Sequence, residues 1–350
     1  MKKEHILVIR FSAIGDVAMT VPVVWSLAHQ YPDVRITVLS RAFARPMFDS
    51  LAPNVGFMEA DLKREYRGLK GLNALFRRLA AKQFTAIADL HNVLRSEFLR
   101  MRFNFGRYHV AHINKHRKGR RRLVKRNNKQ LVQQPTSFQN YVDVFQRLGF
   151  PVTIDFKSIF PPEGGDISQL SESLSSLITP HTPLIGLAPF AAHKGKVYPP
   201  EMMEQVIELF IQQHPQAHIF LFGRGEQEEV WFKKWSQQWP HLIHVNHHVT
   251  SMYQELIVMS HLNVMLSMDS ANMHLASLTG IPVVSIWGAT HPYAGFMGWG
   301  QSEENAIQQD LDCRPCSIFG QKACRRGDYA CLNTIKPSTI VEKLNNFITN

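Results

Sequence analysis

Cysteine is scarce and late in this chain: four in 350 residues, all beyond position 312. The stretch before them can hold no disulfide, so its core has to come from apolar packing alone. No apolar run approaches the roughly 20 residues that a membrane-spanning helix needs. Lys2 and Lys3 precede an apolar run as in a secretion signal, but Glu4, Arg10 and Asp16 interrupt it, which predicts a cytoplasmic chain. Neither GxGxxG nor a Walker motif occurs, which argues against hydride transfer and ATP hydrolysis on these loops. Acidic residues are also missing between Glu97 and Asp143.

Apolar residues make up 45% of the chain, enough to build two ordinary cores, and its length favours two domains. The net charge of +11 is unevenly spread: residues 1–160 balance at +17 and residues 161–350 at −6. Lys115, Arg117, Lys118, Arg120, Arg121, Arg122, Lys125 and Arg126 crowd into twelve positions. Such a run suits a polyanion, whether nucleic acid, an anionic membrane face or a phosphorylated glycolipid, or else is a solvated loop. Few aromatics interleave it, which counts against nucleic acid, where bases stack on rings.

The chain opens with Ile6-Leu7-Val8-Ile9, then Phe11-Ser12-Ala13-Ile14-Gly15-Asp16, then a helical pattern. A buried strand that turns into a helix places Asp16 in a loop leaving the carboxyl end of a strand, where open α/β sheets bind ligands. Asp16 there is a candidate catalytic carboxylate, or simply a helix cap. Further strands are expected at Arg35–Leu39 and Ala86–Leu90, with helices at Pro22–Gln30, Leu69–Ala81 and Phe138–Leu148. A second series runs through strands Leu184–Leu187, His218–Phe222, Leu242–Val245, Val264–Ser267 and Val283–Trp287. Helices Pro200–Gln213, Tyr253–Met259 and Ala271–Thr279 are interleaved with them. The alternation predicts two doubly wound parallel sheets with a cleft between them. The expected domains are 1–162 and 163–336, with a terminal helix in 337–350 packing back on the first.

In the second series, Asp269 or Ser270 caps a helix that carries Ala271, Asn272 and His274, and a helix N-terminus suits a diphosphate. The alternative is a plain cap with a core histidine. Lys194 and Lys196 follow a buried strand and are placed to neutralise a leaving phosphate. Glu226 opens another helix, as a ribose ligand or a solvated surface group. Cys313, Cys316, Cys324 and Cys331 fit either a structural zinc site, reduced thiols or disulfides, in a compartment that disfavours disulfides.

Taken together, Ser12-Ala13-Ile14-Gly15-Asp16-Val17, Asp89-Leu90-His91-Asn92-Val93-Leu94-Arg95-Ser96, Lys194-Gly195-Lys196-Val197-Tyr198-Pro199 and Asp269-Ser270 with His274 resemble glycosyltransferase family 9. That is the heptosyltransferase-like group of GT-B fold that builds the lipopolysaccharide core. The resemblance implies an α/β GT-B fold of two Rossmann-like domains and an inverting, metal-independent transfer from a nucleotide-diphosphate sugar such as ADP-heptose. It casts Asp16 as base, Lys196 as the diphosphate's partner, and Lys194, Glu226, Asp269, Ser270, Ala271, Asn272 and His274 on the donor. Ser12, His91, Arg95, Arg120, Arg121 and Arg122 are then expected on an anionic glycolipid acceptor at the inner membrane surface. No cofactor is implied beyond the candidate structural zinc. Ala271-Asn272 depart from the glycine usual in the family after the Asp-Ser pair, which leaves other nucleotide sugars open. Two rival classes are a non-catalytic polyanion-binding protein and a GT-B sugar-nucleotide epimerase.

Overall fold

A computed structural model of the chain describes residues 4–106 and 108–348; Lys2, Lys3 and the last two residues of the expected terminal segment lie outside them. The chain divides into two compact units. The first holds the residues up to Lys115 together with Pro135–Lys157, and the second holds His116–Gln134 with everything from Ser158 onward. The expected boundary at 162 thus lies a few residues inside the second unit, and the basic run is divided, with Lys115 in the first and the other seven cations in the second.

The sheet of the first unit is β1 (His5–Ile9), β2 (Arg35–Ser40), β3 (Val55–Glu59), β4 (Ala86–Asp89) and β5 (His109–His112), in the order β3-β2-β1-β4-β5. All pairings are parallel, with Ile6 opposite both Ile36 and Ala86. β1 and β4 are buried along their whole length, as strands covered on both faces must be, and this is why they read as mainly apolar, broken only by His5 at the start of β1 and Asp89 at the end of β4. The helix Val21–Gln30 starts with Pro22 in its first turn and buries Val21, Val23, Val24 and Leu27. The helix Ser137–Arg147 is capped by Thr136, whose Oγ1 accepts from Gln139 N at 3.1 Å while Gln139 Oε1 accepts from Thr136 N at 2.7 Å. Gly149, at φ +86°, follows its last turn in the left-handed conformation that stops a helix.

The second unit's sheet is β6 (Leu184–Ala188), β7 (His218–Leu221), β8 (Leu242–His244), β9 (Val264–Met268), β10 (Val283–Trp287) and β11 (Ala306–Gln308), in the order β11-β10-β9-β6-β7-β8. Again every pairing is parallel. Its core gathers Tyr198, Phe210, Phe232, Trp235 and Leu332. The terminal helix Pro337–Asn345, expected to return to the first domain, packs in this unit against the helix Pro200–Gln213 and buries Ile340, Val341 and Leu344 there. Its amphipathic face supplies apolar residues three and four apart to a core already open on that side.

The basic run forms a short helix, Arg117–Leu123. Arg120 is buried, its Nε donating to Ala294 O at 3.0 Å and its guanidinium lying 4.4 Å from the centre of the Phe296 ring. Lys129 Nζ donates to the carbonyls of Asp312 and Arg314, both at 2.7 Å. Those contacts are what assign the segment to the second unit. Among the described residues, no helix is long and apolar enough to cross a membrane.

Candidate active site

In the first sheet the strand order reverses between β1 and β4, so the loops leaving their carboxyl ends sit side by side. The loop after β1 presents Asp16 on the short helix Ile14–Ala18. Its Oδ2 accepts from Ala13 N at 3.2 Å and from Arg10 Nη2 at 2.7 Å. Arg10 is buried and also donates through Nη1 to Leu90 O at 2.7 Å, so the guanidinium ties the two loops together. Burial on its own would lower the arginine's pKa; Tyr141, Asp16 and Asp89 outweigh it and hold the group firmly charged. Tyr141 donates its hydroxyl to Asp16 O at 3.2 Å. Arg10 and Tyr141 are supports that motif reading passes over. An arginine at the end of an all-apolar strand, six residues before Asp16, is the signal that points to the first.

From β4, Asp89 is fully buried and accepts from the backbone N–H groups of His91 (2.9 Å) and Asn92 (2.8 Å), and from Arg100 Nη1 at 3.2 Å. It shapes the turn that places His91. Burial, reinforced by Arg10 and Lys115, pushes the His91 imidazole down to about 3, and its Nδ1 accepts from Phe11 N at 3.4 Å. Neutral His91, Ser12 and Arg95 line one cavity of about 350 Å³ with Phe11, Arg41, Leu62, Lys63, Val93 and Leu94. Three cations on its wall favour an anionic ligand.

In the second sheet the order reverses between β6 and β9. After β6 a tight turn, Lys194–Lys196, brings Lys196 Nζ to 3.1 Å from Asp269 Oδ2, which follows β9. The lysine stem lies against Gly320, where a Cβ would come within 2.4 Å of Lys196 Cγ. Lys194 Nζ sits 5.0 Å from the centre of the Tyr329 ring. Ser270 begins the helix Ala271–Leu278 without capping it through its side chain; its Oγ lies 3.2 Å from Ser267 Oγ instead. Ala271 and Asn272 are half-buried in the first turn, and His274 is buried in the second. Glu226 is exposed at the start of its helix, where Glu228 does the capping, accepting from Gly225 N at 2.8 Å.

Arg121 and Arg122 are exposed on the second unit and are not among the residues that line the cavity with Ser12, His91 and Arg95. Cys313, Cys316 and Cys324 are half-buried and Cys331 is buried. Burial pushes the Cys316 and Cys331 thiols up, Cys331 to about 11. Among the described residues, the group of three metal-ligating side chains with ligand atoms within 4.8 Å of one another is Glu229, His244 and His247, not the cysteines. One further spacing, Asp310-Leu311-Asp312, has the form of a metal-binding pair; both carboxylates are exposed after β11.

Two doubly wound parallel sheets, each with ionic groups at its own switch point, define a two-domain α/β protein of the GT-B class. The chain belongs to glycosyltransferase family 9 (heptosyltransferase), whose family profile matches residues 72–325. Its fold is similar to that of E. coli heptosyltransferase WaaC with ADP, at 15% identity and a TM-score of 0.68 over 98% of this chain and 100% of that one. A family 9 glycosyl transferase from Veillonella parvula gives 17% and 0.71 over 99% and 98%. E. coli ADP-heptose lps heptosyltransferase II gives 18% and 0.65 over 98% of each chain. No curated protein sequence matches the chain.

Proposed function

We propose that the chain moves a heptose from ADP-heptose to the lipopolysaccharide core or a related anionic glycolipid, with inversion and without a metal in the transfer step. The observation that carries this is the pair of ionic clusters: Asp16 on Arg10 at one switch point, Lys196 on Asp269 beside an uncapped helix start at the other. Asp16 takes the proton of the acceptor hydroxyl as its oxygen attacks the anomeric carbon. The bond from that carbon to the diphosphate breaks on the opposite face, and its electron pair leaves with the phosphate. Lys196 and the N–H groups at Ala271 and Asn272 meet the charge that builds there. Lys194, Glu226, Asp269, Ser270 and His274 complete the donor side.

On the acceptor side, Ser12, His91 and Arg95 with Arg41 and Lys63 suit phosphate or acidic sugar groups. Arg121 and Arg122, exposed on the second unit, are further cations for an anionic acceptor, while Arg120 anchors its own segment on Ala294 and Phe296. A peripheral position on the inner membrane is supported by the helix Leu94–Phe105, which leaves Leu94, Met101 and Phe105 exposed along one stripe. The choice of ADP-heptose is supported by relatives of this fold that hold ADP or an ADP-heptose analogue. In this reading the cysteines are packing thiols, because burial favours the protonated form of Cys316 and Cys331; zinc lost together with stability on chelation would reverse that assignment.

The test is a panel of nucleotide sugars with thermal-shift readout, followed by a transfer assay on deacylated and intact glycolipid. Stabilisation by ADP sugars with transfer supports the reading. Binding followed by sugar interconversion without an acceptor would make it an epimerase, and tight polyanion binding with no nucleotide-sugar response would make it a binding protein.

A further inference from the structure

β8 is a three-residue strand at the edge of the second sheet, and the helix Glu226–Gln238 carries the chain from β7 to it. His244 ends β8, and His247 closes the tight turn that follows, held there by Asn246 Nδ2 donating to Gly223 O. The helix brings Glu229 over both rings. Its Oε2 lies 3.4 Å from His244 Nδ1 and its Oε1 lies 3.0 Å from His247 Nε2. One ligand atom from each of the three side chains falls within 4.8 Å of the other two. His244 is only 7% exposed, and the Glu229 Oε2 that faces its Nδ1 stands at 3.4 Å, longer than a good hydrogen bond. A buried imidazole held only by so long a contact is poorly satisfied compared with one in water, which leaves room for a stronger partner between the rings and the carboxylate. Phe232 packs edge-on against the same ring at 4.9 Å between centres, fixing its orientation.

We propose that Glu229, His244 and His247 form a site for a divalent transition ion, with zinc the best fit, that fastens the short edge strand to the helix before it. Zinc bonds of about 2.1 Å place neighbouring ligands of a tetrahedron about 3.4 Å apart, the separation of His244 Nδ1 from Glu229 Oε2, and a small widening of the 3.0 Å contact to His247 would match it. Two imidazoles and a carboxylate suit zinc, cobalt, nickel or copper rather than magnesium or calcium, which prefer oxygen. Glu229 and His247 are half open to solvent, so water fills the fourth position and ions can enter. The ion replaces the long contact between His244 Nδ1 and Glu229 Oε2 with a direct bond to each side chain. This site is separate from the chemistry proposed for the switch points and does not depend on it.

The experiment uses the untagged full-length chain, stripped with a chelator and titrated with zinc or cobalt. One ion per chain should bind at this site, and zinc at a hundredfold excess over its Kd should raise Tm by roughly 5–10 °C for a unit of this size, while magnesium does nothing. Cobalt should give visible ligand-field bands without the strong near-ultraviolet band of thiolate ligation. His247→Ala and Glu229→Gln should each weaken binding at least about tenfold. His244→Ala risks the fold because that ring is buried; His247 is exposed, so its variant keeps the test decisive. No saturable zinc binding would overturn the proposal. So would a single ion that shows the thiolate band, or one whose affinity His247→Ala leaves unchanged.

Discussion

The ion pairs at the two switch points are mirror images in burial. In the first unit the cation is hidden and the carboxylate shown: the Arg10 side chain is 7% exposed and that of Asp16 35%. In the second the carboxylate is hidden and the cation shown, with Asp269 at 6% and Lys196 at 17%. In each pair the buried member is the one that positions and the more open member is the one that can meet a ligand. Under the proposed function, the same device offers a base in one unit and a positive charge in the other. That is the division an inverting transfer needs: a proton acceptor for the incoming hydroxyl and a counter-charge for the departing diphosphate.

The largest effect expected is that of Asp16→Asn, which keeps its hydrogen-bonding shape but cannot accept a proton. Turnover should fall by about 10²- to 10⁴-fold with the circular dichroism spectrum unchanged. Retention of near wild-type turnover would remove Asp16 from the chemistry and leave the mirror relation a matter of packing. Next in size, Lys196→Ala should lower turnover by about 10²-fold, as loss of a charge-stabilising donor does. It should also cost about 1–3 kcal/mol of stability, because Asp269 is left buried without its cation. Adding Asp269→Asn should restore the stability and not the turnover. If the double variant regains turnover as well, Lys196 is only a structural partner.

The basic segment divides the same way. Arg120→Gln should destabilise the second unit by about 1–2 kcal/mol through loss of the Ala294 hydrogen bond and the Phe296 contact. Arg121→Gln with Arg122→Gln should leave unfolding unchanged and weaken use of a phosphorylated acceptor, an effect that added salt reproduces as the Debye length falls to roughly 8 Å. Kinetics at several ionic strengths check this. The smallest effect is on pH. Burial lowers His91 to about 3 in the first unit and His291, flanked by Arg314, to about 4 in the second. Both are held neutral in the folded chain, so the unfolded state binds more protons below pH 6.5. Stability should therefore be full above 6.5 and decline as pH falls from there towards 3 to 4. His91→Gln should flatten that decline in acid unfolding curves, and an unchanged slope would show that His91 is not held neutral.

How much of this could be read in the sequence follows from burial. β1, β4, β6, β9 and β10 lie inside their sheets and announce themselves as apolar runs. β3, β5 and β11 are edge strands of mixed exposure, such as His109-Val110-Ala111-His112, and give no such run. Asp16, Lys196 and Asp269 were legible because each follows a buried strand at a turn. Arg10 as the partner of Asp16, and Glu229 with His244 and His247, were not, since those pairings exist only once non-adjacent segments meet. The packing of His116–Gln134 in the second unit was hidden for a related reason. A run of cations reads as solvated surface, and nothing local marks Arg120 as the one that stacks on Phe296.

The central claim is that the more open members of the two ion pairs have separate duties. Calorimetric ADP binding measured beside turnover, on Asp16→Asn and Lys196→Ala in parallel, tests it most directly. The account predicts wild-type ADP affinity with transfer lost for the first variant, and ADP affinity reduced about tenfold or more for the second, as loss of a charged contact in a partly buried site implies. Equal loss of ADP affinity in both, or wild-type ADP affinity and turnover in Lys196→Ala, would contradict it.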